Sequence, residues 1–251
     1  MTTLGERIGS FLSEKRDRLA NLLLKKKLTP NMLTLMGLTI NLFAAIGLAI
    51  GFHRTAGVVM IFANSFDVLD GALARVSNKI TRFGDFFDST IDRYSDLTLY
   101  SGLIVFYFLK QDIIYIILVC IVSIGSVSTS YVRAKGQNVI PIKCDVGFME
   151  RPERIVTLII AALFNHIHIA IWILAILTHL TVIHRILYVK KALENPAHLE
   201  SGEFKVPNIY EGKSSFKTSL MKILFLDYER MTWQYDLICG IIIFILIFPP
   251  F

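Results

Sequence analysis

Apolar runs close to the length of a bilayer crossing recur along this chain, and basic residues gather in alternate connections between them. In lipid each run must satisfy its own backbone hydrogen bonds, which a helix does. Composition agrees. Hydrophobic residues make up 54% of the 251 residues, more than a soluble domain carries. The net charge of +6 fits basic loops near anionic headgroups better than nucleic-acid binding. Cys120, Cys144 and Cys239 have no metal-ligand spacing, and Cys120 and Cys239 sit in apolar stretches, as small core residues do. The first thirty residues lack a signal-peptide layout, because charged and apolar residues alternate.

Within residues 1–28, Leu4, Ile8, Phe11, Leu12, Leu19, Leu22 and Leu23 recur at helical spacing among Lys and Arg, which predicts an amphipathic helix at the cytoplasmic interface. Thr29-Pro30-Asn31 opens a first span to about Phe52, with Thr29 as cap and Pro30 at the first helical position. A second span begins near Thr55 and runs through Phe66 into an acidic segment. A third helix starts near Gly84 and is apolar from Leu97 to Leu109. Further spans are expected at Ile113–Tyr131, Ile155–Asn165 and Ile167–Val189. Arg75, Lys79 and Arg82, and the basic loop 133–154, fall on the side of the N-terminus, inside by the positive-inside rule. His53 and Lys110 fall on the other side. The expected fold is an all-α integral membrane protein of six spans over 29–191, followed by a polar cytoplasmic tail, 192–251. The tail's apolar stretch 235–249 is barely long enough to cross: a short span, a re-entrant piece or a helix packed at the interface.

Carboxylates in such a chain are costly and mark function. Asp67 and Asp70 stand three apart, Asp88 and Asp92 four apart, and residues 67–92 read D-x2-D-G-x2-A-R-x8-G-x3-D-x3-D. Helical spacing puts each pair on one face, with Asp85 and Asp96 extending the second. Four ionised carboxylates brought together repel, and divalent cations relieve that repulsion. Hard oxygen donors favour Mg²⁺, Mn²⁺ or Ca²⁺. Two such ions can clamp phosphate oxygens and stabilise a leaving group. Gly71 leaves room for a phosphate or nucleotide against the backbone, and Arg75 can pair with phosphate. Helix capping, or pairing with Arg75, Arg82 and Arg93, accounts for one aspartate more easily than for the spaced set.

Residues 67–92 resemble the signature of the CDP-alcohol phosphotransferase family at every fixed position, and the likeness covers about residues 25–192. The resemblance implies six transmembrane helices, a homodimer, a site of two Mg²⁺ or Mn²⁺ ions, and transfer from a CDP-linked donor to a hydroxyl with release of CMP. Carried over, Asp67, Asp70 and Asp88 would hold the metals. Asp92 would be the general base and also touch a metal. Gly71, Ala74 and Arg75, with Asp67, would lie against the CDP moiety.

Ser130–Lys135, followed by Glu150-Arg151-Pro152-Glu153-Arg154, resembles the branch that makes phosphatidylinositol phosphate or archaetidylinositol phosphate. Its acceptor, inositol phosphate, calls for cations, and Arg133, Lys135, Arg151, Arg154 and Arg185 could supply them. They could equally meet lipid headgroups. Glycerol phosphate as acceptor, or a soluble CDP-inositol donor, stays open. A divalent-cation transporter is the rival from another class. Transporters place such groups near the bilayer midplane, whereas here the carboxylates lie toward the cytoplasmic end, beside Gly71 and Arg75. An aspartate-rich prenyl transferase would space its pairs differently and lack the D-G-x2-A-R continuation.

Overall fold

The computed structural model describes residues 18–25, 28–77, 80–140, 144, 146–194 and 233–248, with side chains described from 239 in the last segment. Every regular element among the described residues is an α-helix. The helices are α1 (18–25), α2 (Pro30–Ala49), α3 (His53–Val76), α4 (Arg82–Leu109), α5 (Ile113–Val139), α6 (Arg151–Leu163), α7 (Ile167–Glu194) and α8 (Trp233–Ile247). They divide between two compact units, Met1–Phe106 and Tyr107–Phe251.

In the first unit, α2 starts where the sequence says it should. Thr29 is the N-cap and its hydroxyl accepts from the Met32 N–H at 3.4 Å, with Pro30 in the first turn. Gly51, at φ +86°, reverses the chain into α3. The two helices form an antiparallel hairpin. Leu33, Ala72 and Leu73 are buried in it, together with Ala20 of α1. Thr81 caps α4, its hydroxyl accepting from the Gly84 N–H at 2.9 Å. Gly102 of α4 lets that helix approach α2 so closely that a Cβ there would stand 2.3 Å from the Ala45 carbonyl oxygen.

In the second unit, α5 and α7 pack at Gly125, where a Cβ would lie 2.2 Å from Thr178 Oγ1. Helix α8 lies against α6 and α7. Leu246 is buried with Ala161 and Ala170, and His166 Nδ1 stands 2.8 Å from the Leu246 carbonyl oxygen. The terminal apolar stretch is thus a packed helix.

Six helices occupy the region where six spans were expected, but four of them, α2, α3, α5 and α7, are long and apolar enough to cross a membrane. Helix α6 has 13 residues, about 20 Å at ~1.5 Å per residue, short of a ~30 Å core. The first half of α4 carries Asp85, Asp88, Asp92 and Asp96. Three boundaries move. Helix α5 continues to Val139, so Arg133 and Lys135 stand on a helix rather than in a loop. The E-R-P-E-R segment is the N-cap and first turn of α6, where proline is well tolerated. Helix α7 likewise runs on to Glu194. Cys120, expected in the core, is exposed, and Cys144 is the buried cysteine. In lipid both faces of a helix are apolar, so an apolar neighbourhood does not tell inward from outward. Most of the expected N-terminal amphipathic helix and the tail 195–232 lie outside the described residues.

Candidate active site

The first unit holds a cavity of about 280 Å³ where α2, α3 and the start of α4 meet. Helix α3 supplies Asp70, Gly71, Ala74 and Arg75, and α4 supplies Gly84, Asp85 and Asp88. Pro30, Asn31 and Thr34 of α2 close one side, with Ile80 and Thr81 from the α3–α4 connection. Both halves of the acidic motif thus open into one space. Asp70, 6% exposed, lies within electrostatic reach of Asp67 and Asp88. Thr34 donates its hydroxyl proton to Asp70 Oδ2 at 2.7 Å.

Asp67 stands one turn before Asp70, half-buried, with its Oδ1 against the bare face of Gly37. Asp92 stands one turn beyond Asp88 on α4, also half-buried. Neither forms the cavity wall. Among the described residues no three Asp, Glu, His or Cys side chains are drawn together as a ready metal cage. Asp96 is buried, next to Ser95, which accepts a 2.5 Å hydrogen bond from Asn41 of α2.

The absent side chain of Gly71 matters here. A Cβ there would find only Arg75 Nη1 within 4 Å, at 3.9 Å. The backbone is therefore open to a ligand, with a guanidinium beside it, as recognition of a phosphate requires.

The expected acceptor arginines belong to the second unit, and they divide by environment. Arg185, 1% exposed, is held on three sides. Its Nε donates to the Val146 carbonyl at 2.8 Å, Nη1 to the Thr129 carbonyl at 2.7 Å, and Nη2 to Glu150 Oε1 at 2.6 Å. Arg154 is equally buried and donates to the Met149 carbonyl at 3.2 Å. Arg133 differs: its side chain is 40% exposed and meets Glu150 Oε2 at 3.5 Å. Lys135 is exposed and Arg151 half-buried.

Sequence reasoning missed Thr34, Asn31 and Glu150. Thr34 follows Pro30 by one helical turn, so the Thr29-Pro30-Asn31 entry and Thr34 share a helix end. That was the available signal, but it reads equally well as a helix start. The Glu150 carboxylate joins two of the expected cations, Arg133 and Arg185.

Residues 27–184 match the CDP-alcohol phosphatidyltransferase family. Archaetidylinositol phosphate synthase of Pyrococcus horikoshii is 36% identical over 178 residues, covering 71% of this chain and 92% of that protein. The crystal structure of Mycobacterium tuberculosis phosphatidylinositol phosphate synthase with CDP-DAG bound matches with a TM-score of 0.66 and 30% identity, over 69% of this chain and 92% of that one. A second structure of that enzyme, in complex with manganese and citrate, matches with the same TM-score over 70% of this chain and 88% of its own. The acidic motif, the cavity it lines and these matches lead to one conclusion: the chain belongs to the CDP-alcohol phosphatidyltransferase family and is a membrane-embedded transferase.

Proposed function

We propose that this protein transfers a phosphatidyl or archaetidyl group from a CDP-linked lipid to a hydroxyl of inositol phosphate, releasing CMP. One observation carries the reading. A single cavity presents Asp70 and Asp88, the open face of Gly71, and Arg75. That is the donor set a metal-bound diphosphate needs. The acceptor assignment is supported by the relatives that make inositol phosphate lipids.

The residues fit the implied metals by their chemistry. Asp70 and Asp88 offer hard carboxylate oxygens to one cavity, Asp67 and Asp88 both act electrostatically on Asp70, and like charges so placed favour a divalent cation. Asp67, Asp70, Asp88 and Asp92 would hold two Mg²⁺ or Mn²⁺ ions. When bound, the ions neutralise the diphosphate and stabilise the departing CMP. The rest falls to the chain itself. Gly71 and Ala74 admit the nucleotide against α3, and Arg75 pairs with a phosphate oxygen. Asp92 takes the proton as the acceptor hydroxyl attacks the lipid-bound phosphorus and the bond to CMP breaks. Arg133, Lys135 and Arg151 would meet the acceptor phosphate, and the buried Arg154 and Arg185 hold the framework of their own unit. In this reading all six helices of the domain sit in the membrane, the site faces the cytoplasm, and two copies form a homodimer.

The acceptor is tested by neutralising cations singly. Arg133→Ala or Arg151→Ala should raise the inositol phosphate KM about ten- to hundred-fold, the cost of a lost charge-assisted hydrogen bond of about 1.5–3 kcal/mol. The CDP-lipid KM should change far less. If both KM values drift together and follow the anionic lipid content, these cations bind headgroups and the acceptor is an uncharged alcohol.

A further inference from the structure

We infer that α2 carries a positioning pair, Thr34 and Gly37, which sets the carboxylates of Asp70 and Asp67. This deepens the proposed metal site and rests on that reading.

The argument starts from register. Thr34 and Gly37 stand three apart on α2, and Asp67 and Asp70 stand three apart on α3, so each pair shares a helix face. The two helices run antiparallel, so position 34 meets 70 and position 37 meets 67. The contacts follow that order. The Thr34 hydroxyl lies 2.7 Å from Asp70 Oδ2, and the space a Gly37 Cβ would fill lies 2.9 Å from Asp67 Oδ1. One residue acts by what it donates and the other by what it lacks.

Thr34 is 3% exposed, so its hydroxyl proton must go to a protein acceptor. Two acceptors are in range: Asp70 Oδ2 at 2.7 Å and the Pro30 carbonyl, one turn back, at 3.2 Å. The shorter, charge-assisted bond to the carboxylate wins. That bond ties down one oxygen of Asp70 and fixes the plane of the carboxyl group, so the direction in which Oδ1 presents its lone pairs is set before any ligand arrives. Partners that orient a ligating carboxylate in this way govern metal affinity. At Gly37 the constraint is steric. An added methyl would sit 2.9 Å from Asp67 Oδ1 and 3.3 Å from the Ala63 carbonyl oxygen. The backbone oxygen cannot swing aside, whereas the Asp67 carboxylate can, so the carboxylate gives way.

The test is direct Mn²⁺ binding to the purified full-length protein, read from the electron paramagnetic resonance signal of free Mn²⁺, with thermal stability measured alongside. Thr34→Val removes the hydroxyl at nearly constant shape and should weaken Mn²⁺ binding about tenfold, within the range for lost partners of ligating groups. Thr34→Ser should restore binding to within about twofold. Gly37→Ala should weaken it as well, and Asp70→Asn more than either. If Thr34→Val lowers the melting temperature too far for measurement, Thr34→Ala against Thr34→Ser makes the same comparison. Wild-type affinity in Thr34→Val and Gly37→Ala, with Asp70→Asn impaired, overturns the positioning role and leaves the metal site intact. Wild-type affinity in Asp70→Asn overturns the metal reading itself. Lower thermal stability in Thr34→Val with unchanged affinity makes Thr34 a packing residue and also overturns the inference.

Discussion

Glu150 offers the sharpest test of how the basic end of the second unit is built. It caps α6, its side chain is 7% exposed, and its two oxygens face two different arginines. Arg185 is 1% exposed and pairs with the Glu150 carboxylate at 2.6 Å, while it also donates to the Val146 and Thr129 carbonyls. Glu150→Ala would remove a carboxylate bonded at 2.6 Å to a buried guanidinium. Breaking a buried pair from one side costs about 3–5 kcal/mol. At roughly 2–4 °C per kcal/mol for a chain of this size, the melting temperature should fall by about 6–20 °C. Glu150→Gln keeps one oxygen acceptor and should lose about 1–3 kcal/mol. Combining Glu150→Gln with Arg185→Met removes both charges and should recover much of the loss, a coupling visible in a double-mutant cycle. The Arg133 arm should behave otherwise. At 3.5 Å and 40% exposed it adds about 0–1 kcal/mol, so Arg133→Ala should leave the melting temperature nearly unchanged. Thermal unfolding of detergent-purified protein, followed by size-exclusion chromatography after heating, gives all four values. A Glu150→Ala melting temperature within about 2 °C of wild type would refute the clamp, and with it the division of the arginines into structural and exposed sets.

Three further outcomes are expected. Gly102→Ala places a methyl 2.3 Å from the Ala45 carbonyl oxygen and 3.0 Å from its Cα, so α2 and α4 must part, at a cost of about 1–3 kcal/mol or more in thermal unfolding. Asp92→Asn should abolish turnover while CMP affinity, by equilibrium binding, stays near wild type; near-normal turnover removes its role as base. With the native cysteines replaced, single cysteines at positions 53 and 110 should label from one side of the membrane, and those at 75 and 133 from the other. Labelling of 53 and 75 from the same side would rule out the topology in which α3 crosses.

The all-helical class and the acidic motif were legible because both are periodic. Apolar runs set the helices, spacing puts Asp67 and Asp70 on one face of α3, and packing brings Asp70 and Asp88 to one cavity. Boundaries were less legible. Arg133 and Lys135 look like loop residues because charge follows an apolar run with Gly136 close behind, yet α5 continues through them, with Gly136 buried in the packing. Pro152 reads as a turn but serves equally in a helix's first turn. The burial of Arg185 was not legible at all, since its partners come from distant sequence: Val146 and Glu150 lie 39 and 35 residues away. Thr34 was hidden for a like reason, its partner Asp70 being 36 residues away.

Metal-dependent transfer to an acceptor is measurable in one assay. Purified protein is supplied with CDP-diacylglycerol or CDP-archaeol, Mn²⁺, and in parallel inositol phosphate, inositol, glycerol phosphate or serine. CMP release and the phosphorus of the lipid product are measured together. One CMP per lipid product is expected with inositol phosphate, with loss of both on chelation and none in Asp88→Asn. CMP release with another acceptor and none with inositol phosphate would contradict the acceptor. Undiminished turnover in Asp88→Asn would contradict the site.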